Sequence, residues 1–340
     1  MRRGLAGALR ATVAVTTAAV GVLALASCLQ IGDRGTQKAL DAASARERAE
    51  AEQRKVDPAL VTYSQVREIA TGLAEPRGVA VGPDGRAWVV GDREVRAFGA
   101  EGTAWIGFAV SEEPRCIAVD DGGNVLIGYR AWVRQHNVSG AVLAEWPVEG
   151  KQPFVTCVTP HGGGVWVADA GDRVVLRYSR SGQLTGRLGE RDAGRKVPGL
   201  VLPSYHLDVL VDEGGRVLVN NPGRLTVETY KPDGAFVESM GKASMAIDGF
   251  CGCCNPTDLA LLPDGRIVTS EKGIPRVKVL RRDGTLDCVV AGPDDLSVSA
   301  DSGLDLSVDG EGRVLVLDPH ARLVRVFAPG APAPKEEATK

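Results

Sequence analysis

Three cysteines stand within four positions, Cys251, Cys253 and Cys254 around Gly252, and a Glu271-Lys272 pair follows less than twenty residues on. Thiols this close have three chemistries open to them. They can form disulfides and pin their own loop. Adjacent cysteines close only through a strained ring, so at least one of the three has a different partner or role, with Cys116 or Cys288 as possible partners. They can bind copper or zinc as thiolates, with an imidazole from His206 or His320, although a C-x-C-C run lacks the paired C-x-x-C elements of an ordinary zinc module. Or they can act as a redox centre, in which a strained or exposed disulfide takes electrons or exchanges with a partner thiol. Lys272 bears on the choice, because a nearby ammonium enlarges a thiolate fraction or binds an anionic ligand. Plain solvation is the bland reading of the same lysine.

The elements that must position these residues are short strands. Around the cysteines the chain reads as an apolar strand at 259–262, the turn Pro263-Asp264-Gly265, a strand at 267–269, a third at 276–280, the turn Asp283-Gly284, and a fourth strand at 286–291. The first turn recurs at Pro83-Asp84-Gly85, Asp121-Gly122-Gly123, Gly162-Gly163-Gly164, Glu213-Gly214-Gly215 and Gly310-Glu311-Gly312. A period of roughly 40 to 50 residues belongs to propeller blades. The sequence therefore predicts an all-β, six-bladed β-propeller. The last unit lacks a fourth strand, and a segment at 65–70 is expected to supply it and close the ring, which leaves few exposed edges.

Propeller geometry says which residues meet. The loop before each inner strand, and the loop between second and third strands, open on one face. That places Cys251 to Cys254, His206, Asp169, Asn221, Glu271, Lys272, Asp318 and His320 at one mouth, and His161 and His136 towards the other. Aligning the inner strands on their first turns puts Gly78, Cys116, Thr156, Asp208, Asp258 and Asp305 at one register. A polar set in otherwise apolar strands points to the channel. The three carboxylates either brace the blade joints by accepting backbone amide hydrogen bonds or converge on a hard cation such as calcium.

Segments such as GGGVWVADAGDRVVLRYSRSG at 162–182, together with the run FCGCCNP, SEKG and PRVKV, resemble the NHL-repeat family, over about residues 60–329. The resemblance implies a six-bladed propeller, a fold that hosts lyases, lactonases and binding platforms alike. The peptidyl-hydroxyglycine amidating lyases, similar in blade architecture, use a histidine-bound zinc in the channel; four histidines, two of them at the same mouth, do not match that pattern. The gluconolactonase group holds a channel cation with carboxylate and amide groups. Here Glu75-Pro76 lacks that group's intervening glycine, while Asp208, Asp258 and Asn221 offer oxygens. Neither a catalytic triad nor a phosphate-binding loop is legible.

The termini define location. Arg2 and Arg3 precede an apolar run ending in Leu25-Ala26-Ser27-Cys28, which reads as a secretory signal and resembles a bacterial lipobox. Residues 1–27 are then the signal peptide and Cys28 the lipidated mature N-terminus; an uncleaved anchor is the alternative. Residues 28–57 form a partly helical charged tether, 58–329 the propeller, and 330–340 a tail without core residues. The formal net charge of −3 carries no electrostatic footprint for nucleic acid. The expectation is a cell-envelope protein on the periplasmic or extracellular side, membrane-bound through its N-terminal lipid, that binds a protein or small-molecule ligand. A cation-dependent hydrolase or lactonase using Asp208, Asp258 and Asp305 is the alternative.

Overall fold

A computed structural model describes residues 38–45, 48, 51–297 and 303–330. The signal segment, Cys28 and nearly all of the tail lie outside the described residues. The chain divides into two compact units, with the boundary after Arg54. In the first, residues 38–45 and 51–54 are helical and exposed, as a run of Ala, Glu, Arg and Gln without an apolar face would be. Among the described residues no helix is long and apolar enough to cross a membrane.

Among the described residues the second unit holds 24 strands in six four-stranded antiparallel sheets. Blade 1 comprises β2–β5 (Pro76–Val81, Ala87–Gly91, Glu94–Phe98, Ala104–Ala109) and blade 2 comprises β6–β9 (Cys116–Val119, Val125–Gly128, Trp132–His136, Val142–Pro147). Blade 3 follows with β10–β13 (Val155–His161, Gly164–Asp169, Val174–Ser179, Leu184–Leu188) and blade 4 with β14–β17 (Val209–Val211, Val217–Asn221, Thr226–Tyr230, Phe236–Met240). Blade 5 has β18–β21 (Asp258–Leu261, Ile267–Glu271, Arg276–Leu280, Leu286–Ala291). Blade 6 takes β22–β24 (Asp305–Val308, Val314–Asp318, Leu323–Pro329) and completes itself with β1 (Tyr63–Ala70), which pairs with β24 from Tyr63 opposite Pro329 to Ala70 opposite Leu323. The molecule is a six-bladed β-propeller.

The closing strand starts two residues earlier than the sequence suggests. Tyr63 is buried in the apolar cluster between blades 5 and 6, beside Val290 and Phe327, and the backbone of Thr62 accepts from Gly330 N at 2.6 Å. Six apolar clusters fill the six blade joints. Because each blade is covered on both faces, second strands such as β3, β11, β15 and β23 are buried along their whole length, whereas an outer strand such as β9 is mostly exposed. In the first turns of blades 1 and 5, Gly85 and Gly265 hold φ of +77° and +80° and donate N–H to the carbonyl three residues back, a conformation that glycine supplies without a Cβ penalty.

Candidate active site at the channel mouth

The aligned inner-strand residues do line the channel. A cavity of about 170 Å3 is walled by Cys116, Thr156, Cys157, Asp208, Asp258 and Asp305 among others. Each polar member reaches across a blade joint. Thr156 donates its hydroxyl to Leu207 O at 2.6 Å; Asp208 Oδ2 accepts from Leu259 N at 2.7 Å; Asp258 Oδ2 accepts from Leu306 N at 2.7 Å; Asp305 Oδ2 accepts from Val79 N at 2.6 Å. The four bonds step round the ring from blade 3 to blade 1. Bracing, the first of the two expected roles, is therefore what one oxygen of each carboxyl does.

Burial pushes all three carboxyls up. Asp305 rises to about 8, with the charge of Asp208 adding to the effect of burial. Asp258 is raised well above the ordinary carboxylate range by burial and by the neighbouring Asp208 and Asp305, and Asp208 is raised by burial. Among the described residues no group of three or more His, Cys, Asp or Glu side chains is gathered closely enough to hold a metal ion. The calcium, copper and zinc expectations thus have no donor set behind them there.

Above the channel, a second cavity of about 160 Å3 opens at the mouth and shares Thr156, Asp258 and Asp305 with it. Its rim carries Arg77, Arg115, Tyr205 and His206. Arg77 is paired with Glu75 and Glu113 at 2.9 and 3.4 Å. Arg115 makes no ion pair among the described residues. Instead its guanidinium sits 3.7 Å from the Phe154 ring centroid, Arg130 lies over the same ring at 5.4 Å, and Phe154 stacks on Tyr205 at 4.3 Å. Arg115 Nε is buried without a hydrogen-bond partner. Burial, and then the positive field of Arg77, pull the Arg115 pKa down, with Arg130 adding to them. Burial and the charge of Lys272 lower His206 to about 4, so the imidazole is neutral at physiological pH.

The cysteine loop stands where the sequence places it, on the approach to β18. Cys251 and Cys254 are buried and Cys253 is exposed. The six described cysteines are all free thiols. Cys116 and Cys288, the possible disulfide partners named from the sequence, are both unpaired. Cys116 belongs to the channel strand of blade 2, where Gly128 leaves room for its sulfur, and Cys288 lies on the outer strand of blade 5 opposite Val279. His320 is exposed on the turn between β23 and β24.

Glu271 corrects a second expectation. Placed by the sequence on a ligand face, it is instead fully buried, with Arg276 Nη2 at 2.8 Å and Lys278 Nζ at 2.7 Å on its two oxygens. Cys251 N donates to its Oε2 at 3.3 Å. The last residue of the second strand plays this part in neighbouring blades too. Asp169 accepts from Phe154 N, Asn221 Oδ1 from Val201 N, and Asp318 from Ser297 N, each holding the loop that leads to its own inner strand. Glu271 is the blade-5 version of that clasp, as its alignment with Asp169 and Asp318 suggests. Lys272, by contrast, stays near the mouth, where its charge reaches His206 and Cys253.

The sequence reading passed over Arg77 and Arg115. Their signal was positional: each immediately precedes the channel register in its blade, at Gly78 and Cys116. Phe154 and Tyr205 carried no comparable mark, because their stacking joins loops of two different blades.

No family model matches the chain, and no curated protein matches it. Solved structures do. A streptogramin B lyase superposes with a TM-score of 0.56 at 10% identity, covering 81% of this chain and 100% of that one. A virginiamycin B lyase from Staphylococcus aureus gives 0.53 at 11%, covering 75% and 82%. A protein of unknown function from Bacteroides thetaiotaomicron gives 0.55 at 14%, covering 78% and 75%. Identities this low carry the six-bladed fold and nothing finer. The NHL resemblance rests on its sequence segments alone.

Proposed function

We propose that this chain is an extracytoplasmic propeller, tethered to the membrane through Cys28, that works as a binding platform with an anion-recognising channel mouth. One observation supports the reading above the others: Arg115 presents an unpaired, partly buried guanidinium into a cavity already bordered by Arg77, with Arg130 alongside. A cation held against its like-charged neighbours and lacking a carboxylate is ready for an anionic ligand, and a planar guanidinium suits carboxylate or phosphate. Burial raises the pKa of all three channel carboxyls below, which weakens the negative charge they set against the rim. Titration calorimetry with succinate and with inorganic phosphate tests this. At least one should bind, and Arg115→Met should weaken that binding tenfold or more, about 1.4 kcal/mol. Unchanged affinity in the variant would remove Arg115 from the site.

A second reading has one specific observation in its favour. His206, neutral at physiological pH, and Asp258 and Asp305, raised towards the protonated form, line the same cavity. A neutral imidazole and a carboxylic acid held at one cavity are the two halves of general acid–base chemistry. Such a pair suits the proton transfers of elimination or ring opening, and lyases occur among the structural neighbours. Turnover separates the two readings: an enzyme loses it in His206→Gln while the anion still binds, whereas a platform shows no turnover in either form.

A further inference from the structure

The cysteine loop takes no part in the anion site, yet its thiols are arranged for chemistry. Cys253 Sγ and Cys254 Sγ lie 3.2 Å apart, and closing to the roughly 2.05 Å of a disulfide needs a movement of about 1 Å. The two ends of the pair differ. Cys253 is exposed and open to attack from solvent, while Cys254 is buried behind it. The base of the loop is fixed by Asn255, whose side chain donates to Cys251 O at 2.7 Å and to Lys272 O at 3.0 Å and accepts from Lys272 N at 2.9 Å. Gly252, at φ +75° with open space where a Cβ would stand, leaves the tip room to adjust. Cys251 is buried, with its backbone N–H on Glu271 Oε2 at 3.3 Å and its sulfur 3.9 Å from Asn255 Nδ2.

We infer that Cys253 and Cys254 form a dithiol that exchanges with disulfides, cycling between two thiols and a vicinal disulfide at the edge of the channel mouth. The Cys253 thiolate attacks one sulfur of R–S–S–R, forming Cys253–S–S–R and expelling RS−, which takes up a proton. Cys254 then gives up its proton and attacks the Cys253 sulfur. The Cys253–Cys254 bond forms, the bond to SR breaks, and the second RS− leaves and is protonated. Two electrons and two protons pass from the dithiol to the disulfide. Because the hydrogen bond to Cys254 raises the Cys253 thiol above its ordinary range while Lys272 opposes that rise, the first step accelerates as pH climbs, and Lys272→Met slows it at a given pH.

The experiment equilibrates the full chain with glutathione buffers of graded redox ratio and, in a separate arm, with an oxidised dithiol protein of thioredoxin type. Each sample is quenched in acid, alkylated and mapped by peptide mass spectrometry. Cys253 and Cys254 should lose alkylation together, with the peptide lighter by two hydrogens, while buried Cys116 and Cys288 keep theirs. Oxidation in the glutathione arm assigns a small-molecule disulfide, and oxidation in the protein arm alone assigns a protein partner. Cys254→Ser should stop at a mixed disulfide on Cys253, and Cys251→Ser should oxidise like the parent. The proposal fails if both thiols stay alkylated in both arms, if Cys254→Ser yields no adduct, or if Cys251→Ser abolishes oxidation.

Discussion

At Asp305 a single side chain carries both the ring closure and the chemistry of the channel floor. Its Oδ2 accepts from Val79 N across the joint between blades 6 and 1, and burial, followed by the field of Asp208, lifts its pKa from 3.8 to about 8. The folded chain therefore keeps a proton that the unfolded chain releases above its ordinary pKa. Stability falls as pH rises through the window from about 4 to about 8, and the full penalty is in place above it. Asp258 and Asp208 are shifted in the same direction and add the same sign. Asp305→Asn keeps an oxygen for Val79 and removes the titration. Its melting temperature should fall less between pH 5 and pH 8.5 than that of the parent, and parallel curves would show that Asp305 does not titrate in this window. The shared register of these aspartates was legible from the glycine turns. The upward shift of their pKa values was not, since it depends on how much solvent the assembled blades exclude.

The element that most needs its partners is the β19–β20 hairpin. Glu271 at the end of β19 meets Arg276 and Lys278 of β20, all three buried, and Lys278 also donates to Ile247 O and Gly249 O and lies 4.6 Å from the Phe250 ring. Blade 6 repeats the theme with Asp318 and Arg325 at 3.3 Å, and blade 4 changes the chemistry while keeping the positions, with Asn221 donating to Glu228 at 2.7 Å. In blade 5 two cations face one carboxylate. Glu271→Gln leaves both buried without a counter-charge and should cost about 3–5 kcal/mol. Lys278→Met leaves a balanced Glu271–Arg276 pair and should cost clearly less. Denaturant melts of the two variants test this, and an equal loss would mean that charge balance is not what the clasp supplies. The repeat revealed that Glu271 has structural counterparts; its partners lie five and seven residues on, across a hairpin that pairs Arg276 with Glu271 and sets Lys278 opposite Thr269, two residues along the strand.

At the scale of the whole molecule, the ring is closed by one strand borrowed from the start of the domain. Strand β1 covers β24 and buries Ile69 with Val324 and Val326 in the joint between blades 6 and 1. Deleting residues 63–70 uncovers the β24 edge and part of two apolar clusters. An open edge is a template for pairing with other chains. The shortened protein should be aggregated or oligomeric by light scattering, and a monomeric, cooperatively melting product would show that closure does not depend on β1. The need for this strand was readable because the last unit is one strand short. Its start was placed two residues late, since only the packing of Tyr63 between blades fixes that end.

The sequence by itself determined the architecture, because a recurring glycine turn between short apolar strands is local chemistry that repeats in the order of the chain. It also placed the cysteine loop, His206 and Lys272 at one mouth and aligned three aspartates in one register, since both follow from counting strands. Only the tertiary structure decided what those residues do. It withdrew Glu271 into a buried clasp, separated Cys116 and Cys288 from the loop, left Cys253 and Cys254 facing each other, and gathered Arg77, Arg115 and Tyr205 around a common cavity. These outcomes depend on distances between blades and on the exclusion of water, which arise only when the ring closes.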